Sequence, residues 1–261
     1  MASKRKISPA ERRHQDYLRR KALKVGHHYE ARLVKLRRKE VQRVLDLCRD
    51  IADPSHWQDV INAHLDESYL YGWFKGLYVD VGIPQARSVA RDLSRGKASP
   101  TEGYWEQELL RYAEDRAGED IVIVSGTLKD ELIRITRTAM EADTQMGIEK
   151  LARSIYKDFS ENLLLWQCRR IAQTETMIGL ADAGAMAARS LEVPFLKQWC
   201  TSGLMNTRDS HLIMDGVTAD MDEPFLLVES NSYMMYPHDK SMGAEAKEII
   251  NCACSVLRIP K

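Results

Sequence analysis

Cys252 and Cys254, separated by one residue, and His211 earlier in the chain are the side chains best suited to gripping a metal ion. Thiolate and imidazole donors in sets of four are what zinc takes, so Cys200 or His238 is a candidate for the fourth place. Structural zinc knuckles usually put two to four residues between paired cysteines, and the single Ala253 argues against that simplest form. The competing reading is a pair of half-buried structural cysteines beside a hydrogen-bonded turn histidine. Glu175 is the second candidate. It falls on an apolar helical stripe with Leu164, Cys168, Ile171, Ile178 and Ala185, where a carboxylate is costly unless it is paired. Arg208 and His211 are the expected donors. A buried clamp between this helix and the C-terminal part is the favoured role, and a hydrolase-like site of Glu175, Arg208 and His211 is the alternative.

A third group is cationic: Lys4, Arg5, Lys6, Arg12, Arg13, Arg19, Arg20, Lys21 and Lys24, followed by Arg37, Arg38 and Lys39. Such density binds phosphates without reading sequence, because each contact releases condensed counterions. The same charges also suit an acidic protein surface. The zero formal net charge hides this asymmetry, since residues 1–50 hold 16 Lys/Arg against 6 Asp/Glu and carry +10, leaving −10 for the remainder. Motifs for P-loop NTPases, dinucleotide binding, serine hydrolases and zincins are absent, so those chemistries have no warrant.

The elements that must position these groups are mostly helical. A hydrophobic fraction of 44% over 261 residues supports a sizeable core. No long apolar run and no secretory leader occur, which predicts a soluble protein without membrane contact. Five scattered cysteines predict free thiols in a reducing cytoplasm rather than a disulfide framework. Residues 1–50 read as a basic helical arm, with periodicity firm from Val34 and a break at Asp53-Pro54. Residues 57–78 read as one aromatic-rich buried helix stopped near Gly82-Ile83-Pro84, and 85–93 as a short one. Residues 94–103 read as a loop and 105–113 as helix. Residues 121–124 read as a short strand or buried irregular segment, followed by a helix capped at Thr127 and carrying Leu128, Leu132, Ile135, Ala139, Ala142 and Met146. A long helix spans 161–191. After Pro194 short apolar stretches and turns replace the helical pattern, with a last short helix over 243–250. The expected architecture is therefore a mostly α N-terminal region followed by a small α+β C-terminal domain. Its divisions are a 1–50 arm, a 51–160 helical domain, and a 161–261 domain entered by helix 161–191.

Three stretches carry a resemblance. They are Arg169-Arg170-Ile171-Ala172-Gln173-Thr174-Glu175-Thr176, then Thr207-Arg208-Asp209-Ser210-His211 with Met214-Asp215-Gly216 after Trp199, and Ile250-Asn251-Cys252-Ala253-Cys254. Phe225 after Glu223-Pro224, and Pro237-His238-Asp239, fill the intermediate places. In this order and spacing, over about residues 128–256, the chain resembles the phage Mu F-like minor head protein family. It departs from the family pattern at Gln173 and Ala253, where the family carries arginine, so roles of those arginines do not transfer.

The resemblance implies a minor head (capsid) protein of a tailed bacteriophage, inside the head near the portal and made in the host cytoplasm. It would act in head morphogenesis with the portal protein and other head components. Contact with packaged DNA through the basic arm is expected from the arm's charge, since the resemblance does not reach residues 1–50. The resemblance implies no enzymatic activity. The alternative is a phage-delivered nuclease or toxin-like effector built on Glu175, Arg208 and His211.

Overall fold

The computed structural model of the chain describes the backbone of residues 3–94, 102–143, 146–191 and 193–261. These residues form a mostly α N-terminal region followed by a small α+β part, as the sequence predicts. They fall into two compact units, each discontinuous in sequence. One comprises Met1–His27, Gly76–Arg111 and Gln173–Lys261, and the other His28–Lys75 and Tyr112–Ala172.

The second unit is all helical. It contains the later part of α1 (Pro9–Arg49), α2 (Trp57–His64), the start of α3 (Tyr69–Leu93), most of α4 (Glu102–Ala142), α5 (Ile148–Asp158), one π-helical turn over Phe159–Leu163, and the start of α6 (Leu164–Ser190). The break after α1 is chemical. Asp53 accepts the Ser55 amide at 2.9 Å and Pro54 opens the next turn. Residues 57–78 are two helices rather than the single one expected, because Asp66 folds back on Ser68, accepting its amide at 2.8 Å and its hydroxyl at 3.0 Å. The core of this unit includes Leu33, Val41, Trp57, Ile61, Trp73, Phe74, Leu132, Ile155 and Phe159. Inside it the Arg37 guanidinium donates to Glu67 at 3.0 and 3.4 Å and to Gln167 Oε1 at 3.3 Å, and Tyr69 donates to Glu67 at 2.8 Å.

The first unit carries the sheets. Strands β1 (Ser3–Lys4), β3 (Val217–Asp220), β2 (Phe195–Cys200) and β6 (Ser255–Pro260) lie in that order, every pair antiparallel. A hairpin of β4 (Phe225–Leu227) and β5 (Ser232–Met234) stands apart from them as its own sheet. Lys197 on β2 ties the hairpin segment in by donating to the carbonyls of Glu223 and Met235 at 2.7 and 2.9 Å. Two short helices, α7 (Asp209–Met214) and α8 (Ala246–Ile249), fill the connections. On the helical side Ala86, Val89, Ala90 and Leu93 of α3 share a core with Leu109 of α4 and Ala183, Ala187 and Ala188 of α6. Small residues on α6 allow this approach: a Cβ on Gly179 would stand 2.7 Å from Tyr78 Cδ1.

Several local expectations are corrected. Pro84 lies inside α3 rather than ending it. Its missing amide costs roughly 3 kcal/mol, which the buried face formed by Val81, Ala86, Val89, Ala90 and Leu93 outweighs. Residues 121–124 and Thr127 lie within α4, not in a strand and at a cap; helix continuity prevails over a four-residue β-branched signal. The 161–191 helix begins instead as the π turn and continues as α6. The 243–250 helix shrinks to α8. Residues 95–101 of the expected 94–103 loop lie outside the described residues, and Glu102 and Gly103 already belong to α4.

Within the basic first fifty residues, Pro9–Arg49 form helix α1, and the segment before it is tied to the sheet. Arg5 and Gly216 meet through a 2.9 Å backbone hydrogen bond, and Gly216 has φ +81° with no room for a Cβ, which would stand 2.7 Å from the Arg5 carbonyl oxygen. Gln198 donates to the carbonyls of Arg5 and Gly216 at 2.6 and 3.1 Å. Arg12 grips Asp215, which also accepts the amide and hydroxyl of Thr201, both at 2.9 Å. Among the described residues no helix is long and apolar enough to cross a membrane, and all five cysteines are free and buried.

Candidate metal centre

His211 sits in the middle of α7, a helix too short to be stable alone. Its ring is fixed instead by packing, edge-on to Trp199 of β2 with centroids 5.4 Å apart, and Trp199 in turn meets Phe225 of β4 at 5.4 Å. Cys252, Ala253 and Cys254 lie between α8 and β6, outside both elements. The spacing of one, unfavourable in a knuckle, nevertheless brings both thiols to one partner here. Asn251, at φ +57°, makes the turn into this segment, and its amide donates to Thr174 Oγ1 of α6 at 3.2 Å.

His211 Nδ1 lies 3.4 Å from Cys252 Sγ and 3.5 Å from Cys254 Sγ, and all three donor atoms are within 4.8 Å of one another. A tetrahedral zinc with ordinary Zn–S and Zn–N bonds would separate nitrogen and sulfur by about 3.6 Å. Both nitrogen–sulfur distances thus stand close to the spacing that a shared zinc requires. The other ring nitrogen, Nε2, is 2.8 Å from Glu248 Oε2, which also accepts from Ser210 Oγ at 3.3 Å. His211 and Glu248 are 1% and 3% exposed. A carboxylate on the far nitrogen holds the imidazole in the tautomer that leaves Nδ1 free to bind metal. The hydrogen bond with Cys254 draws the Cys252 thiol below its ordinary pKa, whereas the same contact and burial push Cys254 up. One thiol is thus predisposed to the thiolate form that metal binding needs.

Neither expected fourth ligand joins the group. Cys200 packs with Ile7 and Leu257, and His238 spends Nε2 on the Cys254 carbonyl at 3.1 Å while burial pulls its pKa down. Among the described residues, the donor group is His211, Cys252 and Cys254. A small pocket of about 10 Å³ adjoins it, walled by these three residues with Ser202, Asn206, Thr207, Arg208, Asn251 and Ala253.

Glu175 has a different donor from those expected. It is buried and accepts a hydrogen bond from Tyr78 of α3, while His211 faces Glu248 and Arg208 donates to the Ile250 carbonyl at 2.6 Å. Sequence spacing points Glu175 toward the next apolar material in the chain, but the closely packed α3 supplies the hydroxyl. Glu248 escapes the sequence pattern. Its neighbours Glu245, Lys247 and Asn251 are polar, and the one signal for its burial is that it directly precedes Ile249-Ile250.

Of the twelve cationic candidates, Lys4, Lys6, Arg13, Arg20, Lys21, Lys24, Arg38 and Lys39 are exposed. Arg5 pairs with Glu11, Arg12 with Asp215, and Arg19 with Asp16. Arg37 leaves the set, because its guanidinium is buried against Glu67 and a charge so neutralised reaches no phosphate. No family model, curated protein or solved structure matches this chain.

Proposed function

We propose that the chain is a minor head protein of a tailed bacteriophage, acting in head morphogenesis near the portal, with a zinc ion fastening its C-terminal part. One observation supports the reading: the three stretches that carry the family resemblance converge. Thr174 of the first holds the Asn251 amide of the third, and His211 of the second faces Cys252 and Cys254 of the third. Residues so far apart in sequence meet in one place, with Thr174, His211, Cys252 and Cys254 buried, which favours a structural module over scattered identities. Thiolate and imidazole donors at 3.4–3.5 Å favour zinc over the harder cations. The exposed cations of α1 suit packaged DNA, whose phosphates they would meet without base contacts.

The effector-enzyme alternative has no comparable observation, since Glu175, Arg208 and His211 each take a separate partner. The test is co-expression of the chain with the portal and major capsid proteins of the phage genome that encodes it. Incorporation into assembled heads, and capture by the portal protein alone, are expected. A chain that neither binds portal nor enters heads overturns the proposal.

A further inference from the structure

We propose that the zinc held by His211, Cys252 and Cys254 keeps its fourth coordination position open to one small, exchangeable anionic ligand entering past Arg208. This rests on the zinc reading above and goes beyond it, because a zinc that merely staples a fold is closed by four protein ligands, whereas three protein ligands leave a place for water or another donor.

Three features carry it. Among the described residues the donor group stops at three, with Cys200 committed to an apolar cluster and His238 to the Cys254 carbonyl. The donors are enclosed on one side, where Trp199 covers the His211 ring and Glu248 takes its far nitrogen. On the other side all three donor residues form part of the wall of the 10 Å³ pocket, which has room for about one water-sized ligand.

The lining selects the charge of that ligand. Zinc with two thiolates and a neutral imidazole is a neutral centre. Arg208, which lines the same pocket, adds a positive charge there, and Asn206, Thr207 and Ser202 add polar groups beside it. The carboxylate that touches a metal donor, Glu248, lies on the opposite side of the imidazole. A neutral metal with a cation beside its vacant position prefers a small monodentate anion: hydroxide in water, or azide or a thiolate when supplied. Exchange is a substitution in which the incoming ligand donates its electron pair to zinc and bound water leaves with its own, with no change in oxidation state.

The experiment replaces zinc with cobalt(II) in the purified full chain and adds sodium azide while recording the visible spectrum. Expected are intense ligand-field bands of a tetrahedral site, thiolate-to-cobalt charge transfer, and a saturable shift of the ligand-field bands with azide. Arg208→Gln should keep the cobalt spectrum and weaken azide binding by about tenfold, as removing a charge-assisted hydrogen bond does. Arg208→Lys, which keeps the charge, should recover most of it. Failure to bind cobalt or zinc overturns the metal reading itself. A cobalt site whose spectrum ignores azide overturns the open position alone and leaves a closed structural zinc.

Discussion

Glu248 and His211 face each other at 2.8 Å, both buried, and the nitrogen that Glu248 occupies is the one turned away from the cysteines. The orientation of the metal-binding nitrogen therefore depends on a residue that never touches the metal. Glu248→Gln keeps the shape but not the charge. Zinc affinity should fall about 10- to 100-fold, as for other second-layer carboxylates, with little change in the far-ultraviolet spectrum. Competition with a colorimetric chelator measures it, and an unchanged affinity would separate Glu248 from metal binding.

Metal removal should loosen the sheet-bearing unit. Purified protein is expected to carry about one zinc per chain, and chelation to lower Tm. Cys252→Ser and Cys254→Ser should each reproduce the loss without chelator. Identical melting curves before and after chelation would leave the three residues as ordinary core.

In the helical unit the Arg37–Glu67 pair is the sensitive point. Glu67→Ala strands a buried guanidinium and should cost about 3–5 kcal/mol in urea unfolding, whereas Arg37→Met with Glu67→Leu should recover much of it. A double variant no better than the single one would show that the pair contributes more than mutual neutralisation.

Asp182 gives the protein a pH signature. Burial lifts its pKa from 3.8 to about 7, even though Tyr236 hydrogen-bonds to it. Between about pH 4 and 7 the unfolded chain has released this proton and the native state still holds it, so native stability declines as pH rises through that window. The loss reaches roughly 4 kcal/mol near pH 7 and then levels off. Asp182→Asn should remove the slope, matching wild type near pH 4 and exceeding it at pH 8. Parallel stability curves for the two proteins across this range would contradict the assignment.

For DNA, deletion of the first 40 residues is a poor test because it also removes β1 and most of α1. Replacing Lys6, Arg13, Arg20, Lys21 and Lys24 with glutamine leaves intact the ion pairs of Arg5, Arg12, Arg19 and Arg37 named above. Duplex binding should weaken on every sequence alike, and the slope of log affinity against log salt should drop by about 0.9 for each phosphate no longer neutralised. Affinity and salt slope equal to wild type would assign these cations to an acidic partner instead.

What can be read from the sequence is what local pattern controls. The Asp53-Pro54 break, the buried stripe of Leu128, Leu132 and Ile135, and the change of texture at Pro194 are all decided within a few residues. The metal donors are legible by type, but their geometry is not, because the knuckle rule counts the residues between two cysteines and says nothing of a histidine brought in from about forty residues away. Tyr78 as the donor to Glu175, and Gln198 as the clasp on Arg5, depend on which segments meet across roughly a hundred residues or more. Pro84 misleads because its penalty is local and its compensation is spread over three helices.

Among the described residues strand β1 pairs with β3 alone, Ser3 lying opposite Thr218 and Lys4 opposite Val217. More than two hundred residues separate them, so at about 5–20 residues per second a ribosome delivers the partner roughly 10–40 s after β1 itself. Every residue of the helical unit emerges within that interval. During synthesis the basic start of the chain thus stays unclasped until after the last residue of that unit is delivered, and chaperones and nucleic acid have that time to reach it.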